Sequence, residues 1–378
     1  MKIAFEMQPL LDSQKTGIGQ YTENLVRRLV HNNPQTKFIL EFFIFRNRDT
    51  VKAHISGYEA PNTDNRVCCF PRSVYRTVSA FFPLPYRWFF GSEADIRHFF
   101  NFIVPPFAKG KIVVTVHDMG FKRFPKTVRT KTRFLLRLGL GKSIRRADLI
   151  IADSAFTKRE ILCFYKCKPQ KIQVVYPGVD KTSYHAHIAE RPLEEPYILY
   201  LGTVEPRKNI ERLIEAYAKF KKRHIDAPIL VIAGKKGWFY EGIFQKVHTL
   251  GVTDFVRFTG FVDEKDKPGF LAGALFFCFP SLYEGFGLPP LEAMACGTPV
   301  IVSNTASLPE VVGDAGIQVD PFSVAELTDA MEKLWLDKAL REHLSQKGLE
   351  RAALFDWDNA SKQLFALYEA LAEGKLFD

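Results

Sequence analysis

Cysteine is scarce: Cys68, Cys69, Cys163, Cys167, Cys278 and Cys296 are the only six in 378 residues. They are too scattered for a disulfide scaffold, and no CxxC pair marks a zinc site, so reduced thiols are expected. Long apolar runs are missing as well. Spanning a bilayer takes about 18 to 20 uninterrupted apolar residues, and the nearest run is a short one around Leu275 to Phe279, so no transmembrane anchor is expected. The start, Met1 to Phe5, lacks the basic flank, apolar stretch and cleavage site of a signal peptide, which makes a cytoplasmic location the expectation. No internal period or low-complexity tract occurs. Histidine, aspartate and glutamate nowhere cluster at ligand spacing, so neither a metal nor any other cofactor is expected. Asp356-Trp357-Asp358 does spell a DxD, a carboxylate pair that can hold a divalent cation. It stands just before the helical run Asn359 to Leu371, where aspartate caps instead.

What is present is an ordinary globular composition, 47% hydrophobic and 25% charged, in a chain too long for one compact core, so two domains are expected. The net charge of +10 is unevenly placed: residues 1–190 carry 31 Lys and Arg against 15 Asp and Glu, the remainder 21 against 27. A basic half and a mildly acidic half meet different partners.

Short apolar runs recur with helix-length segments between them: Ile3 to Phe5, Phe38 to Phe45, Ile112 to Val116, Leu149 to Ala152, Tyr197 to Gly202, Ile229 to Gly234, Val256 to Thr259, Leu275 to Pro280 and Pro299 to Ser303. These read as buried parallel strands. Alternation with helical segments such as Ile210 to Arg223 and Leu288 to Cys296 predicts an α/β chain with a doubly wound sheet in each half. Glu190-Arg-Pro-Leu-Glu-Glu-Pro196 reads as the linker, which places domains at 1–189 and 190–361.

The chemistry concentrates in Pro280-Ser-Leu-Tyr-Glu284-Gly-Phe-Gly287-Leu-Pro-Pro-Leu-Glu292. A strand ends, a glycine-punctuated loop follows, and Pro289 and Pro290 open a helix. Gly285 and Gly287 let the backbone approach a ligand, and the free N–H groups at the helix start suit phosphate. Glu284 and Glu292, a turn inside the helix, could line one cleft at the carboxyl end of the sheet. A second strand runs into Gly202-Thr-Val-Glu-Pro-Arg207-Lys208-Asn209, whose adjacent cations could neutralise a leaving diphosphate. Val113-Val-Thr-Val-His117 ends a buried strand on histidine, equally a core or capping residue. Gly17-Ile-Gly19 opens a helix near the start; a bare GxG would also suit a dinucleotide site, although the full GxGxxG is absent because Thr22 follows.

Two glutamates separated by seven residues, in the setting EGFGLPPLEAMACGTPVI, resemble the donor-site motif of glycosyltransferase family 4, and the likeness covers nearly the whole chain. The resemblance implies a GT-B fold, two Rossmann-like doubly wound parallel-sheet domains facing across a cleft, with the last segment, 362–378, crossing back onto the first. It implies a metal-independent retaining hexosyltransferase that binds its nucleotide sugar in the C-terminal half and its acceptor in the N-terminal half. By the same resemblance Glu284 faces the transferred sugar, Glu292 binds the ribose hydroxyls, and Gly285, Phe286, Gly287 and Leu288 hold the donor. Val262 meets the base, Gly17 and Gly19 lie between acceptor and donor phosphate, and His117 stands beside the reacting sugar. Many relatives carry an arginine where this chain has Thr203, so one phosphate contact is absent or replaced. The wording TVEPRKN and HDMGFKRFP is similar to bacterial mannosyltransferases of surface-polysaccharide assembly, which implies GDP-mannose as donor and a glycan or polyprenyl-diphosphate-linked saccharide as acceptor. A sugar phosphorylase, a sucrose- or trehalose-phosphate type synthase, or a non-catalytic nucleotide-sugar-binding subunit on the same fold stay open.

From Lys122 to Arg146 there are ten Lys and Arg and no acid, interleaved with Phe121, Phe124, Phe134, Leu135, Leu136, Leu138, Leu140 and Ile144; Arg72 to Phe90 repeats the mixture. That suits an anionic bilayer surface on the inner face of the plasma membrane. No nucleic-acid module accompanies it, so nucleic acid is not an expected partner.

Overall fold

The computed structural model describes residues 1–11, 16–45, 55–188 and 191–376. The chain forms two compact units, one of Met1–Phe121, Thr130–Pro177 and Trp357–Asp378, the other of Lys122–Arg129 and Gly178–Asp356. The 189/190 boundary expected from the linker falls on residues outside those described; the units part at Pro177/Gly178, and the return begins at Trp357, ahead of the expected 362.

Unit 1 is built on seven strands: β1 Lys2–Glu6, β2 Lys37–Phe43, β3 Thr63–Cys68, β4 Ile96–Phe99, β5 Lys111–Val116, β6 Leu149–Ala152 and β7 Ile172–Val174. They lie in the order β3-β2-β1-β4-β5-β6-β7 and every pairing is parallel. Unit 2 has six: β8 Tyr197–Leu201, β9 Ile229–Ala233, β10 Val256–Gly260, β11 Phe276–Phe279, β12 Val300–Ser303 and β13 Ile317–Val319, in the order β10-β9-β8-β11-β12-β13, again parallel throughout. Each sheet grows outward on one side of its first strand and then restarts on the other. That reversal is the Rossmann-like doubly wound pattern, and it opens a crevice at the carboxyl ends of the central strands.

Burial on both faces explains why continuous apolar runs make these strands: Tyr197 to Leu201 and Phe276 to Phe279 are buried throughout. The helix Ile210–Arg223 buries Ile210, Leu213, Ile214, Tyr217 and Phe220, one stripe at helical spacing, and sets Lys221, Lys222 and Arg223 in its last turn, where cations suit the dipole.

Unit 1 also buries charge. Arg97 on β4 bonds Glu41 on β2 at 3.0 Å, and Tyr86 donates to the same carboxylate at 2.8 Å. Burial still pushes Glu41 up to about 7, against the pull of Arg97. The C-terminal helix Trp357–Ala372 is held within unit 1 by Tyr368, whose hydroxyl meets His98 Nδ1 at 2.6 Å, and by the Asp358 to Arg28 ion pair at 3.2 Å. Asp356, in unit 2, lies 3.5 Å from Lys181, so the two aspartates of the DxD each face a cation. Among the described residues no helix is long and apolar enough to cross a membrane.

The basic stretch expected as one face is divided. Residues 122–129 belong to unit 2, where Trp238 donates to the Thr127 carbonyl at 2.6 Å and Arg129 lies 5.1 Å above the Trp238 ring, while Thr130–Arg146 is a helix of unit 1.

Candidate active site

In unit 2 the sequence carries the chain from β11 into a loop and then the helix Leu288–Ala295, with proline in its first turn. Gly287 has φ +119°, a backbone region that side chains rarely adopt, and a Cβ there would come within 2.8 Å of Leu308, so only glycine closes this turn. Ser307 holds the loop from beneath, its hydroxyl reaching the carbonyls of Glu284 at 3.0 Å and Phe286 at 2.6 Å.

After β8 a short 3₁₀ turn, Pro206–Lys208, delivers the two cations. Asn209 follows in the left-handed region and anchors the turn by donating to the carbonyls of Pro280 and Pro321 at 3.0 and 2.6 Å. The two loops then meet through charge. Lys208 Nζ lies 2.7 Å from Glu284 Oε1, Arg207 Nη1 lies 3.1 Å from Oε2, and Ser281 Oγ also donates to Oε1. Arg207 further grips the Tyr283 carbonyl at 2.7 Å and Glu205 at 2.9 Å. Burial alone would raise the Glu284 carboxyl, but the charges of Lys208 and Arg207 and the bonds from Lys208 and Ser281 outweigh it and hold it at about 2. The result is a buried carboxylate held by two cations, beside a helix start that also favours anions.

Glu292, one turn into that helix, is nearly buried. Burial pushes it up to about 7, Glu264 adds to the rise and Lys267 opposes it. Glu264 itself is held by Tyr184 at 2.6 Å and Lys267 at 2.6 Å. This second acidic cluster adjoins the loop that carries Val262, also buried.

In unit 1, Gly17 and Gly19 open the helix Gly17–Asn32, where the Thr16 hydroxyl accepts from the Gly19 N–H at 3.4 Å. Lys15 lies outside the described residues. His117 follows β5 and is nearly buried; its Nδ1 meets Asp153 Oδ2 at 2.6 Å and its Nε2 the Phe100 carbonyl at 2.7 Å. Burial would lower its pKa, yet the Asp153 charge and bond and the Phe100 carbonyl raise it overall. Burial raises the Asp153 carboxyl against the pull of His117, and both ring nitrogens of His117 are engaged inside the unit, one by a carboxylate and one by a carbonyl.

The family models fit this arrangement: "Glycosyl transferases group 1" matches residues 185–351 and "Glycosyltransferase Family 4" residues 15–183. The O-antigen chain mannosyltransferase B of Escherichia coli is 31% identical, across 98% of this chain and 100% of that protein. The chain belongs to glycosyltransferase family 4. The serotype-specific mannosyltransferase WbdA of Escherichia coli is 33% identical over 57% of this chain, which spans 28% of WbdA. Among solved structures, a sucrose-phosphate synthase from Thermosynechococcus elongatus superposes with a TM-score of 0.77 at 22% identity, over 99% of this chain and all of the other, and shares the GT-B fold.

For a family 4 glycosyltransferase, the structure brings Glu284, Arg207 and Lys208 into one ion network and sets Glu292 in a separate cluster of the same unit. His117, Gly17 and Gly19 belong to unit 1. Sequence reasoning missed Ser281, Ser307 and Asn209, which pin the loops, and Tyr184 and Glu264, which accompany Glu292. Lys235 and Lys236 follow β9, and the Lys236 ammonium lies 5.4 Å from the Tyr240 ring and 4.9 Å from the Phe244 ring. Val204 donates to the Lys235 carbonyl at 2.9 Å and bridges Lys236, so this pair adjoins Thr203.

Proposed function

We propose that the protein transfers mannose from GDP-mannose, with retention and without a divalent metal, to a hydroxyl of a glycan or polyprenyl-diphosphate-linked saccharide in the assembly of an O-antigen type polysaccharide. The donor occupies unit 2 and the acceptor unit 1, at the cytoplasmic face of the membrane. The observation that carries the reading is the Glu284 carboxylate held by Lys208 and Arg207 at 2.7 and 3.1 Å. Two fixed cations beside an anion-favouring helix start are what a departing diphosphate needs, since stabilising developing charge is the largest help an enzyme gives. Mannose as the sugar follows the name of the full-length 31% identical relative. No protein nucleophile is required if the diphosphate leaves and helps deprotonate the acceptor on the same face of the sugar.

Calorimetry with a panel of nucleotide sugars tests the donor: GDP-mannose should bind at least tenfold tighter than UDP-glucose, and equal or reversed affinities would overturn the assignment. Transfer should survive excess EDTA, because Arg207 and Lys208 stand where a metal would otherwise screen the diphosphate. Loss of transfer on chelation, restored by magnesium or manganese, would end the metal-independent reading.

Glu292 gives the donor step a pH dependence. As a ribose ligand it accepts hydroxyl protons best when ionised, and its pKa lies at about 7. Binding therefore draws its pKa down and releases a proton near neutrality. From pH 8 to pH 6 the Kd for GDP-mannose should rise by up to about tenfold, one pKa unit being a tenfold change in the balance of forms. GDP-mannose has no titrating phosphate in this range, so the slope reports the protein. Glu292→Gln should bind more weakly and with a flat profile; a wild-type Kd that does not move between these pH values would count against the role.

A further inference from the structure

A pocket in unit 1, apart from the groups placed in the candidate active site, opens beside the carboxyl ends of β1, β2 and β4, where the sheet order reverses. Doubly wound sheets bind ligands at this place. Its cavity volume is about 70 Å³, space for roughly five water molecules and so for a phosphate group with a few adjoining carbons. The wall is apolar and aromatic, including Phe43, Tyr75, Tyr86, Phe99, Leu135 and Leu138. Set into it are four cations, Arg72, Arg76, Lys142 and Arg146, against one carboxylate, Glu6, which pairs with Arg72 at 3.0 Å. The charge is poorly balanced. The Arg76 guanidinium has no hydrogen-bond partner among the described residues, and burial followed by the nearby Arg72 charge, against the pull of Glu6, lowers its pKa to about 10. Arg146 is lowered too, by burial and then Arg145.

The elements that frame the pocket also carry bare apolar side chains. Val74 and Phe82 lie in and just after the helix Arg72–Phe81, Trp88 follows Tyr86, Phe107 follows Pro106, and Phe134 and Leu138 project from the helix Thr130–Arg146. Phe82 and Trp88 are 73% and 70% exposed. Exposed aromatics mixed with Lys131, Arg137 and Lys142, all exposed on the latter helix, are the signature of a surface lying in a bilayer interface.

The geometry points to a site for the lipid-proximal phosphate and first carbons of the polyprenyl diphosphate carrier of the acceptor, entering from the bilayer. Arginine forks bind phosphate oxygens, an aromatic and aliphatic wall takes the adjoining hydrocarbon, and the exposed rim keeps the remaining chain in the membrane. The inference deepens the acceptor half of the function proposed above and rests on it.

Farnesyl phosphate, soluble enough for calorimetry, is the probe on the full chain. It should bind at least tenfold tighter than inorganic phosphate, farnesol or short-chain phosphatidylglycerol, and compete with transfer to a lipid-linked acceptor. Arg76→Gln with Lys142→Gln should weaken it about tenfold, and Ser79→Phe, which fills the pocket without touching charge, should do the same. Equal binding of inorganic phosphate, of farnesol or of phosphatidylglycerol overturns the site, as does unchanged affinity in both variants. If the variants fail to fold, the wild-type selectivity alone decides. GDP-mannose affinity is measured separately: farnesyl phosphate binding without GDP-mannose binding sinks the donor assignment and leaves the pocket, and the reverse sinks the pocket alone.

Discussion

Glu284→Gln is expected to lower kcat by about a hundred- to a thousandfold while tightening the binding of GDP. The first number is what removing one preorganised charged group from a reacting centre costs. The second follows from the ion network: in wild type Arg207 and Lys208 are already committed to Glu284 at 3.1 and 2.7 Å, so a diphosphate must share them, and amidation releases them to it. Stability should move the other way. Removing one partner of a buried pair costs about 3 to 5 kcal/mol, and GDP should restore part of the loss because it binds only the folded chain. Because the folded pKa of about 2 lies below the ordinary 4.5, the Glu284 contribution is present above pH 4.5 and fades as pH falls toward 2, so the stability gap between wild type and variant should close over that interval. Steady-state kinetics, GDP calorimetry and acid unfolding check the three parts. A kcat within threefold of wild type would remove Glu284 from the reaction.

The legible parts of the fold were those with continuous apolar runs. β8 and β11 are buried on both faces and contain no charge, so one pattern announces them. β4 has the sequence IRHF and is also fully buried, yet its Arg97 and His98 are acceptable only because Glu41, Thr115 and Tyr368 come from far along the chain to meet them. Nothing local announces that. β3 is a polar edge strand, TDNRVC, and β7 and β13 are three residues each, too short for any alternation to register. The candidate site divides the same way. The glycines, prolines and acids of the 284–292 loop have spacing that carries chemistry by itself, whereas the contact between Glu284 and Lys208 joins positions 76 apart and depends on β8 and β11 pairing as neighbours. His117 reads from sequence as a strand-end histidine, equally a core or capping residue; its Asp153 and Phe100 partners, which engage both ring nitrogens, appear only in three dimensions.

Lys208→Met should lower kcat by about a hundred- to a thousandfold, and its behaviour with Glu284→Gln separates two jobs that the resting structure superimposes. Lys208 is nearly buried, with its ammonium 4.8 Å from the Phe279 ring and 2.7 Å from Glu284; methionine keeps the length and the packing on the ring but loses the charge. If Lys208 served only to neutralise Glu284, the substitution would cost nothing further once Glu284 is glutamine. If it also meets the leaving diphosphate, the double variant loses about another ten- to a hundredfold, because a charge-assisted bond to the departing oxygens has gone in a site where such bonds are strong. Groups that act as a unit are not additive, so the total should fall short of the product of the single losses yet exceed either one. GDP affinity provides the second reading: Glu284→Gln tightens it, and adding Lys208→Met should reverse the gain. A double variant no slower than Glu284→Gln, with GDP still tightly bound, would confine Lys208 to holding the loop and leave Arg207 as the cation that meets the diphosphate.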